Sequence, residues 1–129
     1  MITYDSKMVK KVIVADDHPS WREIYVNVVR DALPDVHVDE VETGSDLVKR
    51  VLQGDYSLVI SDNDMEEKGA GLKALQTIRQ SGNNVPLYIV SAGSSDVARN
   101  VLRYGANGFY DKADFNSDKL KEDITQYLQ

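Results

Sequence analysis

Short apolar runs rich in β-branched residues alternate along this chain with longer amphipathic stretches, and this alternation constrains the fold more than any other feature. The apolar runs predict five strands, at residues 11–15, 36–41, 56–61, 86–91 and 108–110. Between and after them, apolar residues recur at the spacing of an amphipathic helix. Continuous apolar strands joined by helices are typical of a parallel sheet covered on both faces. We therefore predict an α/β fold: a doubly wound, five-stranded parallel sheet with five helices in three layers, α/β/α.

Helix-starting and helix-stopping residues agree with this pattern. Pro19 suits the first turn of the first helix, and Pro34 ends it. Gly82 is placed to stop the third helix. No linker, repeat or low-complexity stretch interrupts the pattern, so we predict one domain over residues 9–129, preceded by an N-terminal lead-in at residues 1–8.

Composition excludes several classes of protein. The chain has no cysteine, which excludes disulfides, thiolate zinc sites and a cysteine nucleophile. The longest apolar runs, 12–15 and 87–90, are far shorter than the ~20 residues of a membrane span. The net charge of −6 carries no dense basic run, which disfavours nucleic-acid binding. We expect a cytoplasmic protein that contacts no membrane and, as this chain alone, no nucleic acid.

Residues suited to phosphoryl chemistry follow four of the five predicted strands. They are Asp16 and Asp17, Asp62, Ser91 and Lys112. Parallel strands end at a common edge, and ligands of open α/β sheets bind outside that edge. Carboxylates gathered there repel one another unless a hard cation such as Mg²⁺ joins them, while a lysine and a hydroxyl suit a phosphoryl group. Each residue alone also fits a turn or a solvated surface; their joint placement predicts a binding site.

The chain resembles the receiver domain of two-component response regulators over essentially its whole length. The matching segments are VIVADDH with Asp16 and Asp17, YSLVISDNDM with Asp62, VPLYIVSAG with Ser91 and Ala92, and GANGFYDK with Lys112. The resemblance implies a flavodoxin-like fold with strand order 2-1-3-4-5. It also implies a phosphoprotein that carries its phosphoryl group as an aspartyl phosphate.

The resemblance implies a role for each acidic residue. Asp62 would be the phosphoacceptor and would also ligate the metal, Mg²⁺ or Mn²⁺. Asp17 would bind the metal directly, Asp16 mostly through water, and the backbone carbonyl of Asp64 would complete the protein ligands.

It also implies roles on the other side of the phosphoryl group. Ser91, the backbone of Ala92, and Lys112 would contact the phosphoryl oxygens, and Ser91 with Phe109 would form the switch. The implied donor is a histidine kinase or a histidine phosphotransfer protein. The implied output is a downstream protein or a second copy, bound through the fourth helix, fifth strand and fifth helix. Because water hydrolyses an acyl phosphate, we expect self-limiting signalling and not a dedicated turnover enzyme.

Three positions depart from the family pattern. Glu66 stands where a proline usually follows the methionine, the loop 66–71 is one residue longer, and Ala113 replaces the proline often found after the lysine. These changes alter loop shape beside the site and leave the charged set intact. The DDHP opening at residues 16–19 is similar to receivers that precede helix-turn-helix output domains.

Four other interpretations remain open. Two of them are variants of a receiver: a degenerate receiver that acts as an interaction module without phosphorylation, and the N-terminal receiver of a DNA-binding regulator. The D-x-D at residues 62–64 resembles the nucleophile motif of haloacid-dehalogenase-type phosphatases, but here the order of the motifs is reversed. A nucleotide-binding flavodoxin-like protein is disfavoured because the loop after the first strand is acidic and lacks a glycine-rich phosphate cradle.

Overall fold

Five parallel strands form a single sheet in the computed structural model, which describes residues 10–92 and 95–128. They are β1 (Lys11–Ala15), β2 (His37–Val41), β3 (Leu58–Asp62), β4 (Leu87–Ser91) and β5 (Gly108–Asp111). The strand order is β2-β1-β3-β4-β5, with every neighbouring pair parallel, and it confirms the predicted order. The predicted lead-in, residues 1–8, lies outside the described residues.

Each strand is followed by a helix that returns the chain to the start of the sheet. The helices are α1 (Pro19–Ala32), α2 (Gly44–Gln53), α3 (Ala70–Gln80), α4 (Ser95–Arg103) and α5 (Ser117–Leu128). A 3₁₀ turn at Lys112–Asp114, which the sequence pattern does not predict, precedes α5. In the described part of the chain, no helix is long and apolar enough to cross a membrane. The flavodoxin-like α/β fold is thus confirmed.

The apolar core lies in two layers, one on each face of the sheet. Val12 and Val14 of β1 pack with α1 and α5, whereas Ile13 and Ala15 pack with α2, α3 and α4. Successive residues of a strand point to opposite faces of the sheet. Because helices cover both faces, all four side chains are fully buried. Burial on both faces explains why β1 is apolar without alternation.

Four of the five strands begin or end one or two residues away from their predicted bounds. The third strand begins at Leu58 and includes Asp62, whereas the pattern predicts residues 56–61. Tyr56 lies outside the strand, and its hydroxyl donates to Asp39 Oδ2 at 2.6 Å. Leu102, an apolar residue of α4, is 50% exposed, whereas its neighbour Val101 is fully buried in the core.

Glu66, the residue in place of the usual proline, caps α2 from a different loop. Its carboxylate accepts the backbone N–H groups of Gly44 at 2.7 Å and Ser45 at 3.0 Å. N–H groups in the first turn of a helix have no partner within the helix, so this contact satisfies two of them. Partial burial opposes ionisation, but the two N–H donors outweigh it and lower the pKa of Glu66. The loop after β3 is therefore tied to the start of α2.

Replacing Glu66 with alanine should lower the free energy of unfolding by about 1 kcal/mol, the usual value of a helix cap. Because its pKa is lowered in the fold, Glu66 stabilises the protein above the ordinary pKa of a glutamate, and this contribution disappears as the pH falls through the lowered value. Urea unfolding at pH 7 measures the loss. Glu67→Ala is the matched control, since Glu67 makes an exposed ion pair with Lys73 at 3.2 Å, a type worth little. Equal losses for the two variants would contradict the capping role.

Candidate functional site

Three aspartates meet at the carboxyl edge of the sheet, as the strand-end argument predicts. We call Asp16, Asp17 and Asp62 the acidic cluster. Asp16 and Asp17 follow β1, and Asp62 ends the adjacent strand β3. Asp16 and Asp62 are 0% and 3% exposed, while the side chain of Asp17 is 40% exposed. Ligand atoms of the three aspartates and of His18 all lie within 4.8 Å of one another, so they can share one ion.

Lys112 brings positive charge into this cluster from the end of β5. Its Nζ lies 3.2 Å from Asp16 Oδ2 and 3.3 Å from Asp62 Oδ1. The ammonium also lies 4.8 Å from the centre of the Trp21 ring, a favourable cation–π position. The 3₁₀ turn that begins at Lys112 directs the chain towards α5 and leaves the lysine side chain at the edge of the sheet.

The charge within the cluster is not balanced by Lys112. Burial, followed by the charge of Asp16, raises the pKa of Asp62 to about 6, and Lys112 lowers it only in part. A carboxyl whose pKa is raised in this way gains from a nearby cation. Oxygen donors in a partly buried acidic cluster are the ligands that Mg²⁺ and Mn²⁺ prefer. The acidic cluster therefore fits a divalent cation.

Asp16 and Asp17 have different surroundings, in keeping with their different predicted roles. Asp16 Oδ1 accepts the backbone N–H of His18 at 2.9 Å, and Asp16 Oδ2 accepts the hydroxyl of Tyr25 at 2.9 Å. Arg22 also donates to the backbone carbonyl of Asp16 at 2.8 Å. Asp17 is more open, with one oxygen 3.0 Å from the ring of His18. An aspartate with both oxygens engaged fits contact through water, and an open one fits direct contact.

Ser91 supplies a buried hydroxyl at the end of β4. Its Oγ is enclosed and has no hydrogen-bond partner among the described residues. A buried polar atom without a partner costs free energy, so this hydroxyl suits an oxygen that arrives with a ligand. Ser91 stands opposite Asp111 of β5, and Phe109, two residues earlier in that strand, is half-buried against the α2–α3–α4 side of the core. Ala92 follows as an exposed bend.

The first turn of α3 fixes the segment that carries Asp62. A Cβ atom at Gly71 would lie 2.3 Å from the carbonyl oxygen of Asp62. Only glycine, which has no Cβ atom, therefore permits this close approach of α3 to the end of β3. Gly71 lies within α3, where its N–H donates to Asn63 O at 2.8 Å. Asp64 lies in the loop, and its side chain accepts the N–H of Gly69 at 2.8 Å. The metal contact of the Asp64 carbonyl stays a prediction.

Two contacts of α1 with the site escape the sequence argument. Tyr25 belongs to an apolar helical stripe and therefore reads as core, and Arg22 reads as an exposed charge. The structure instead joins both residues to Asp16. Neither contact has a signature in the sequence pattern.

The comparisons with known proteins agree with this geometry. The family model described as response regulator receiver domain matches residues 12–125. The glycerol metabolism activator of Pseudomonas putida is 33% identical over 120 residues, which cover 92% of this chain and 53% of the relative. The chain thus spans about half the length of this curated relative.

Two solved structures are similar in both sequence and fold. The response regulator TrrA from Thermotoga maritima, in complex with Mg²⁺-BeF, has a TM-score of 0.78 and 27% identity; the match covers 93% of this chain and 100% of TrrA. The signal receiver domain of a putative LuxO repressor from Vibrio parahaemolyticus has a TM-score of 0.81 and 26% identity, covering 93% and 90% of the two chains.

Replacing Asp62 with asparagine should stabilise the fold in metal-free buffer. Burial and Asp16 raise the pKa of Asp62 to about 6, so ionising it above that pH costs free energy that an amide avoids. The shift corresponds to about 3 kcal/mol at pH 8, and the difference should vanish below about pH 4, where the acid is protonated in both states. Urea unfolding from pH 4 to 8 measures it, with the exposed Asp64→Asn as control. A destabilised or pH-independent Asp62→Asn would contradict the electrostatic account.

Proposed function

This chain belongs to the response regulator receiver domain family, and we propose that it accepts a phosphoryl group on Asp62 and thereby switches a protein-binding surface. The observation that carries the proposal is the shortage of positive charge around the buried Asp62, beside a lysine and a serine hydroxyl that has no partner among the described residues. The negative charge of such a site favours the binding of a cation, and the lysine and the serine hydroxyl favour the binding of a phosphoryl group. The proposed donor is the phosphohistidine of a histidine kinase or a phosphotransfer protein.

The transfer makes one bond and breaks one. A carboxylate oxygen of Asp62 bonds to phosphorus while the bond from phosphorus to the donor histidine breaks, and the histidine nitrogen keeps the electron pair. Lys112, 3.3 Å from Asp62, holds a phosphoryl oxygen by charge, and the Ser91 hydroxyl donates a hydrogen bond to another. The backbone of Ala92 is proposed to contact the group as well. Positioning and electrostatics are the main contributions that phosphoryl transfer needs from a protein.

The proposed cofactor is Mg²⁺ or Mn²⁺, and its charge would neutralise the acidic cluster and the incoming phosphoryl oxygens. Asp17 and Asp62 are proposed to hold it directly, with the carbonyl of Asp64, and Asp16 through water. The acidic cluster supports this assignment, as does the Mg²⁺-BeF complex of TrrA. Water later attacks phosphorus, the bond to Asp62 breaks, and inorganic phosphate leaves. The signal is therefore self-limiting, and the chain is not a dedicated turnover enzyme.

The proposed switch runs from the site to the surface of α4, β5 and α5. The phosphoryl group draws in Ser91, and Phe109 turns into the space that the serine leaves. This surface carries exposed apolar and aromatic side chains together with two exposed arginines: Leu102, Tyr104, Tyr127, Arg99 and Arg103. Such a surface suits a downstream protein or a second copy of the domain. We place the domain in the cytoplasm, where it would meet its kinase.

The remaining alternatives differ in what they require of Asp62. A degenerate receiver would bind its partner without phosphorylation, yet this chain keeps the acceptor, the acidic pair and the lysine. As a part of a longer DNA-binding regulator, it would leave nucleic-acid contacts to other segments, and we propose none for these residues, which carry a net charge of −6. Slow hydrolysis of a phosphate ester is the property that would favour a phosphatase.

Incubation with a small acyl phosphate and Mg²⁺ should add one phosphoryl group to the chain, measured by intact mass. Asp62→Asn should take up none, because an amide nitrogen or oxygen is not the required nucleophile. Asp55→Asn, which alters an exposed acid before the start of β3, is the matched control and should be labelled normally. Full labelling of Asp62→Asn, or none of the wild type, would overturn the proposal. The second result, with partner binding retained, would indicate the interaction module.

A further inference from the structure

We propose that Tyr25 is a positioning residue for this site: its hydroxyl holds the Asp16 carboxylate so that Lys112 stays shared between Asp16 and Asp62. This inference rests on the proposed function and adds to it a residue of α1. Neither the strand-end argument nor the resemblance assigns Tyr25 a role. Its loss should weaken divalent-cation binding without unfolding the domain.

Tyr25 lies in α1 and contacts the site through its hydroxyl group. Its side chain is fully buried, and its hydroxyl donates to Asp16 Oδ2 at 2.9 Å. Lys112 Nζ approaches the same oxygen at 3.2 Å. The other oxygen, Oδ1, accepts the backbone N–H of His18 at 2.9 Å. Because each oxygen has a fixed donor, the carboxylate of Asp16 is held in one orientation.

The Tyr25 hydroxyl is a neutral hydrogen-bond donor to Asp16, and its effect on the site differs from that of a second cation. A buried carboxylate needs hydrogen bonds, but a further positive charge would cancel the field that attracts the metal. The Tyr25 hydroxyl supplies the bond and leaves the negative charge in place. Without this hydroxyl, Asp16 Oδ2 would keep the contact with Lys112 alone, and the carboxylate would rotate towards the lysine and lose the orientation that the two donors fix together.

The ring of Tyr25 packs against two aromatic residues, Trp21, which also contacts Lys112, and Phe115. Its centroid lies 6.1 Å from that of Trp21 and 6.2 Å from that of Phe115. Trp21 and Phe115 meet edge to face at 5.5 Å, and the Trp21 ring faces the Lys112 ammonium. A phenylalanine at position 25 would preserve this packing. Only the hydroxyl reaches Asp16, so its effect is separable from that of the ring.

Tyr25→Phe in the full chain tests the inference, with Tyr110→Phe as the matched control. Tyr110 also donates its hydroxyl to an aspartate, Asp123, and packs on Phe115, but it lies away from Asp16. Both variants lose one hydroxyl bond and should unfold at lower temperature. Calorimetric titration with Mg²⁺ should show about 10-fold weaker binding for Tyr25→Phe, the lower end for residues that support metal ligands, and no more than about 2-fold for Tyr110→Phe.

Calorimetry is preferred to Trp21 fluorescence because the substitution changes the surroundings of that ring. A second measurement needs no variant: the ¹³Cζ resonance of Tyr25 in the wild type should shift on Mg²⁺ addition, and that of Tyr110 should not. Equal Mg²⁺ affinity in Tyr25→Phe and the wild type, or a Tyr25 resonance indifferent to Mg²⁺, overturns the inference and leaves the proposed function intact. A wild type that neither binds Mg²⁺ nor takes up phosphate overturns the proposed function itself.

Discussion

Two aspartates that the fold buries side by side, Asp16 and Asp62, share Lys112, and the chemistry of the site depends on this arrangement. Burial and mutual repulsion outweigh the lysine, so Asp62 holds its proton to an unusually high pH. A divalent cation would offset the charge of the acidic cluster, and a phosphoryl oxygen would accept a bond from the Ser91 hydroxyl, which has no partner within residues 10–92 and 95–128. The repulsion that raises the pKa of Asp62 is thus the same interaction that favours a bound cation.

The scaffold tolerates this cost because the rest of the domain is conventional and well packed. β1 and β3 are buried on both faces, and the strands end where ligand chemistry is possible without breaking the core. Contacts beyond the sheet then set the loops around the site. Gly71 lets α3 approach the end of β3, and Glu66 ties the loop after β3 to α2. The apolar core lies between the sheet and the helices, and the buried aspartates lie at the edge of the sheet.

The sequence predicts the parts of this arrangement that periodicity and topology control. The common edge of a parallel sheet gathers Asp16, Asp62 and Lys112 on one side, and the strand order that the resemblance implies makes their strands neighbours of one another or of β4. Contacts that depend on one side chain reaching another element have no such signature. The pattern predicts that a tyrosine in an apolar stripe belongs to the core, whether or not its hydroxyl donates to Asp16. The capping by Glu66 joins residues 22 positions apart, and only the folded loop creates it.

The pKa of the Asp62 carboxyl, followed by its ¹³C resonance during a pH titration, tests the central claim most directly. In metal-free buffer the account predicts a midpoint at about 6, set by burial and by the charge of Asp16. Addition of Mg²⁺ should move the midpoint well below that value, because the cation favours the ionised form. A metal-free midpoint near the ordinary value of about 4, or one that Mg²⁺ leaves unchanged, would contradict the account.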